Sequence, residues 1–110
     1  MTDKILVLVT AGNLREAKTI ARRLVESRLA ACVNLIQPVR SVYRWKGKLM
    51  EGREVLLMVK TRKHLFAELE RAVLKSHSYT TPEILSLPVN DGSADYLEWI
   101  ESSVKAPEAK

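Results

Sequence analysis

The sequence predicts an α/β fold of the α+β sandwich type, with elements in the order βαββαβ and one additional C-terminal helix. Three observations predict it. Short runs rich in Val, Ile and Leu alternate with stretches whose apolar residues recur every three or four positions. Two long extended segments, Cys32–Trp45 and Lys48–Thr61, meet at Lys46-Gly47, where a Gly beside a polar residue signals a hairpin turn. The hairpin stands between two strand–helix–strand units, which take right-handed crossovers. Two such units make a ferredoxin-like sandwich, one sheet with two helices on one face.

Ile5–Thr10 reads as the first strand, apolar at nearly every position and so buried on both faces. Ala11-Gly12 breaks it. Asn13 stands three residues before Glu16, a pair of the capping-box kind. Ala17, Ile20, Ala21, Leu24 and Val25 then form one stripe of a helix that ends near Ser27–Leu29. The long hairpin follows. Fourteen extended residues span about 45 Å, whereas a domain of this size has a radius of gyration of about 13 Å. The hairpin is therefore expected to overhang its own domain. Pro38 lacks a backbone donor and marks a bulge or an edge. Val55–Val59 is apolar throughout, and Thr61 is placed to cap a second helix with Leu65, Leu69, Ala72 and Val73 on its apolar stripe. That helix ends at Ser76 or His77. Pro82 forbids helix in the following loop, Ile84–Leu87 is a short fourth strand, and Pro88 closes it. Asn90-Asp91-Gly92 is a turn. Ser93 or Asp95 caps a last helix with Leu97, Ile100 and Val104 on one side, and the polar tail 105–110 is expected to fray.

At 110 residues the chain fits a single domain, 1–110. Such a domain buries roughly two thirds of its unfolded surface and needs no metal or disulfide staple. Cys32 is the one cysteine, which rules out an intrachain disulfide and fits a reducing compartment, so the expected location is cytoplasmic. The apolar run Ile5–Val9 is too short for a signal peptide or a membrane span. The first and third strands would be central in the sheet, and both read as apolar on two faces, while the two helices cover only one. The last helix can cover part of the other face. Sheet-to-sheet packing between subunits, with the hairpin pairing a neighbour's edge, covers the rest, so a homo-oligomer is expected.

The segments AACVN (Ala30–Asn34), SVYRWKGK (Ser41–Lys48), EVLLMVKT (Glu54–Thr61), HSYTTPEI (His77–Ile84) and DYLEWI (Asp95–Ile100) together resemble the CutA divalent-cation-tolerance family. They occur in order over nearly the whole chain. The resemblance implies a ferredoxin-like subunit in a tight homotrimer, with three sheets around the three-fold axis and an architecture shared with PII signalling proteins. It implies a link to copper and other divalent metals, and no catalytic activity. Ser78 departs from the family's usual His-Pro-Tyr, which removes a rigid residue from the loop between His77 and Tyr79.

Cys32, His77 and Glu83 are the metal candidates: a thiolate, an imidazole and a carboxylate, a mixture suited to copper or zinc. Their spacing forms no metal motif. Cys32 is otherwise a small buried hydrophobe, His77 a helix-end cation and Glu83 a solvated loop residue or an ion-pair partner. In the family picture these residues lie in or near a cleft between subunits. Tyr43, Trp45 and Tyr79 either line that cleft and stack on a flat ligand or anchor the interface. Tyr96 and Trp99 read as packing. Arg15, Lys18 and Arg22 share a helical face with Arg23 beside it, a stripe for phosphates or a solvated surface.

The net charge of +5 favours anionic partners in general. RNA recognition modules of this strand order stack bases on aromatics of the first and third strands. ILVLVT and EVLLMVK have none, so no nucleic-acid partner is expected. There is no glycine-rich phosphate loop and no nucleophile elbow. The leading expectation is a non-enzymatic trimer that binds copper. The second is a PII-like sensor of a small anionic metabolite, motivated by the basic balance and the aromatics.

Overall fold

The computed structural model describes residues 2–108. Its elements are β1 (Lys4–Ala11), α1 (Leu14–Glu26), β2 (Cys32–Trp45), β3 (Lys48–Arg62), α2 (Phe66–Ser76), β4 (Ile84–Pro88) and α3 (Ala94–Ser103). The strands form one antiparallel sheet in the order β2-β3-β1-β4, so the two apolar strands β1 and β3 are central, as expected.

Side chains alternate across a strand, and the β1–β3 register sorts them. Val7 and Val9 of β1 pair with Val59 and Leu57 of β3. They are fully buried with Ile20 and Leu24 of α1 and Leu69 and Val73 of α2. Burying each such side chain stabilises the fold by about 1.5–3 kcal/mol. Leu6, Leu8 and Thr10, with Leu56, Met58 and Lys60 of β3, point to the other face.

That second face is covered at one end only. Lys4 Nζ lies 2.8 Å from Glu101 of α3, and Tyr96 of α3 is in contact with Cys32. α3 therefore lies over the Lys4 end of the face turned away from α1 and α2. On the same face, Leu85 and Leu87 of β4 and Ile36 of β2 are 57%, 43% and 44% exposed.

Local signals mostly act where expected. Asn13 Oδ1 accepts the Glu16 N–H at 2.9 Å and starts α1. α1 ends in a Schellman arrangement, with Leu29 N–H bonding Leu24 O and Arg28 N–H bonding Val25 O. Arg28 takes the left-handed conformation there. Lys46 and Gly47 also have positive φ, 51° and 78°, and Trp45 pairs directly with Lys48. This is a two-residue primed turn, whose twist suits the strands. The β2–β3 register shifts between Ile36 and Val39, so Pro38 sits at a bulge on an edge strand. The hairpin stretches the molecule to 45 Å along its longest axis, against 26 and 24 Å across.

Thr61 differs from expectation. It does not cap α2. It is a fully buried strand residue whose hydroxyl donates to Leu29 O at 2.6 Å, and a 3-10 turn over Lys63–Leu65 separates β3 from α2. A buried carbonyl needs a donor, and this distant demand outweighs the local capping signal. Lys105, counted with the tail, is tied down: its N–H bonds Arg28 O, its carbonyl lies 3.0 Å from His64 Nε2, and its ammonium reaches Glu68 at 2.7 Å. Positions 109 and 110 of that tail lie outside the described residues.

Candidate functional site

His77 leaves the end of α2 in an extended conformation, and its side chain is wholly buried. Nε2 lies 2.7 Å from the carbonyl oxygen of Thr10 in β1. A carbonyl only accepts, so Nε2 carries a proton and donates. Nδ1 lies 3.0 Å from the Tyr79 N–H and 3.1 Å from Glu16 Oε2. In the neutral ring Nδ1 accepts the Tyr79 N–H, while Glu16 also takes the Ser78 N–H at 3.2 Å. The imidazole thus fastens the loop after α2 to the central strand. Its partner is a strand carbonyl, not the carbonyl end of its own helix.

That strut places Tyr79. The ring packs over Gly12, where an added Cβ would meet the phenol oxygen at 3.1 Å, so residue 12 has little room for a side chain. The Tyr79 hydroxyl donates to Glu54 Oε2 at 3.1 Å, and the Ser41 hydroxyl donates to Oε1 at 2.5 Å. Burial, then the bond to Glu54 and its charge, push the Tyr79 phenol up to about 12, so it is a neutral donor at physiological pH. Tyr79, Glu54 and Ser41 belong to the wall of a cleft of about 670 Å³ that also takes in Tyr43, Trp45 and Glu83. After the bulge, Ser41 pairs with Gly52 and Tyr43 with Met50, which aligns Ser41, Tyr43 and Trp45 on one side of the hairpin.

Cys32 lies elsewhere. It opens β2 in one cross-strand row with Lys60 and Leu6. The cleft begins at Thr10, about 13 Å further along β1. Cys32 is a free, partly buried thiol on the α3-covered end of the second face. Its sulfur lies 3.9 Å from Asn34 Oδ1, which also receives the Lys60 ammonium. Burial, then Cys32 itself, raise the Tyr96 phenol.

Of the candidates read from the sequence, Tyr43, Trp45, Tyr79 and Glu83 line one cleft, and His77 stands behind Tyr79. Cys32 is apart from all of them. Among the described residues, no three His, Cys, Asp or Glu side chains converge within one chain. Tyr96 and Trp99 pack on each other, ring centroids 5.4 Å apart, and remain 43% and 45% exposed instead of entering the core. Sequence reasoning missed Glu54, Ser41 and Gly12. The signal for Glu54 was a carboxylate on the same strand face as Leu56 and Met58.

The family model described as CutA1 divalent ion tolerance protein matches residues 5–103. The "Divalent-cation tolerance protein CutA" of Thermus thermophilus is 46% identical over 98 residues, which cover 89% of this chain and 95% of that protein. "Protein CutA" of Mus musculus is 49% identical over 92 residues, and there the match spans only 52% of the relative's length. The solved structure of the Thermus thermophilus cation tolerance protein superimposes with a TM-score of 0.91 at 44% identity, covering 93% of this chain and 99% of that one.

Proposed function

Because this chain belongs to the CutA1 divalent ion tolerance family, we propose that it binds a divalent cation, copper first and zinc second, as a non-enzymatic homotrimer. The observation that carries the metal reading is Cys32, the chain's one thiol, free and partly buried at the α3-covered end of the second sheet face. A thiolate is a soft ligand suited to copper and zinc. His77 and Glu83 stand at the opposite end of that sheet, so a site using all three is completed across a subunit boundary. His77 then contributes only if Nδ1 gives up the Tyr79 N–H, because Nε2 is held by Thr10. The trimer reading is supported by exposed Leu85, Leu87 and Ile36, an apolar strip that sheet packing would cover. The location we propose is the cytoplasm, where the thiol stays reduced.

Calorimetric titration of copper(II) and zinc, beside Cys32→Ser and Glu83→Gln variants of checked mass, tests the metal site. Saturable micromolar or tighter binding that is lost in Cys32→Ser with the assembly intact is the expected result. Equal weak binding in parent and variants makes Cys32 a packing residue and removes the site.

A further inference from the structure

We propose that the cleft at the hairpin end of the sheet is a binding site for a small organic ammonium ion. The cleft carries two carboxylates, Glu54 and Glu83, and neither forms an ion pair among the described residues. Its one guanidinium, Arg40, is directed to Glu51 at 3.6 Å. Glu54 is oriented by two hydroxyl donors, Ser41 and Tyr79, which hold its oxygens in place without neutralising them. A fixed carboxylate without a cation is an unmet electrostatic demand, and it runs against the anionic metabolite that the basic composition suggested.

The walls specify what kind of cation. In the single chain Tyr43, Trp45 and Tyr79 are 45%, 44% and 39% exposed and line the cleft. Aromatic faces attract ammonium groups through the ring quadrupole, and a carboxylate beside them completes that recognition. A cleft of about 670 Å³ suits a small organic molecule. A bare divalent ion would require converging ligands, and no three such side chains meet among the described residues. The inference goes beyond the metal reading: the two share Glu83, but this one needs Glu54 and the aromatics and the metal reading needs Cys32, so Glu54→Gln and Cys32→Ser tell their failures apart.

The test uses the protein as it assembles in solution. The chain has two tryptophans, and Trp99→Phe leaves Trp45 as the only indole reporter. Its fluorescence is followed at fixed ionic strength against choline, putrescine and the uncharged choline isostere 3,3-dimethylbutan-1-ol. Expected is a saturable change with one or both ammonium compounds at or below about 1 mM and none with the alcohol. Affinity should fall roughly tenfold or more in Glu54→Gln and in Glu83→Gln and be unchanged in Cys32→Ser. Glu83 is exposed and makes no hydrogen bond among the described residues, so its variant stays informative if Glu54→Gln folds poorly. Absence of a saturable response to either ammonium compound, an equal response to the alcohol, or undiminished affinity in Glu83→Gln overturns the proposal.

Discussion

A single carbonyl oxygen fixes what His77 does. Because Thr10 O can only accept, the imidazole must present Nε2–H to it, and Nδ1 is left to hold Tyr79. Tyr79 in turn gives its hydroxyl to Glu54. This chain makes a definite prediction for the phenol. Its folded value is raised to about 12 from an ordinary 10.0, with burial first and Glu54 second among the causes. A group raised on folding contributes its stability fully below its unfolded value and loses it as pH climbs through the folded one. The Tyr79 contribution is therefore intact below about pH 10 and lost towards pH 12. An NMR titration of ring-labelled tyrosines should show Tyr79 ionising well above the ordinary 10.0 of a phenol. Glu54→Gln should bring its midpoint partway back, the burial part remaining. A midpoint unmoved by that substitution would remove Glu54 as a cause. None of this was legible from the residues singly. Thr10 acts through its backbone, and Glu54 and Tyr79 meet only once β3 and the loop after α2 have been brought together by the fold.

At the scale of elements, the hairpin turn is a place where the chain departs from its own best chemistry. Both central residues of a primed two-residue turn need positive φ. Gly47 adopts it without strain, but Lys46 sits at 51° with a Cβ. Asn tolerates that region better than Lys, and Asn-Gly is a favoured pair for this turn. Lys46→Asn should stabilise the protein by about 0.5–1 kcal/mol, read as a higher denaturant midpoint with an unchanged slope. A lower midpoint would mean that the Lys46 side chain has a role elsewhere. The elements themselves could be read from pattern: the unbroken apolar run Val55–Val59, helical recurrence from Ala17 to Leu24, and a prolyl break at Pro38 all survive in the structure, while Val25, read onto the same stripe, is 42% exposed. Local signals failed where a partner far along the chain decided the outcome. Thr61 looks like a cap until Leu29 O, 32 residues away, takes its hydroxyl. Lys105 looks like a loose tail until Arg28, His64 and Glu68 hold it.

For the whole molecule, the asymmetry between the two sheet faces matters most. One face is filled by α1 and α2. The other is closed by α3 at the Lys4 end and leaves Leu85, Leu87 and Ile36 substantially exposed. If subunits pack there, a charge in the strip is costly only in the assembly. Leu85→Glu, at a position 57% exposed in the single chain, should leave secondary structure unchanged and move the light-scattering mass of a trimer towards the 12.4 kDa of one chain. A parent protein that already weighs one chain, or a Leu85→Glu trimer of full mass and parental stability, would reject packing on that strip.

The reach of the hairpin has a consequence for how the molecule comes apart. β1 ends at Ala11, opposite Val55, so among the described residues Lys48–Glu54 have β2 as their only sheet neighbour. A lone two-stranded ribbon is at best marginally stable in water, whereas Val7, Leu57 and Val59 lie in a core that opens only when the domain does. The chain therefore holds two thermodynamic units of unequal strength. The inner one owes its order to its own packing. If neighbouring molecules pair with the outer one, its melting should follow protein concentration while that of the inner unit does not.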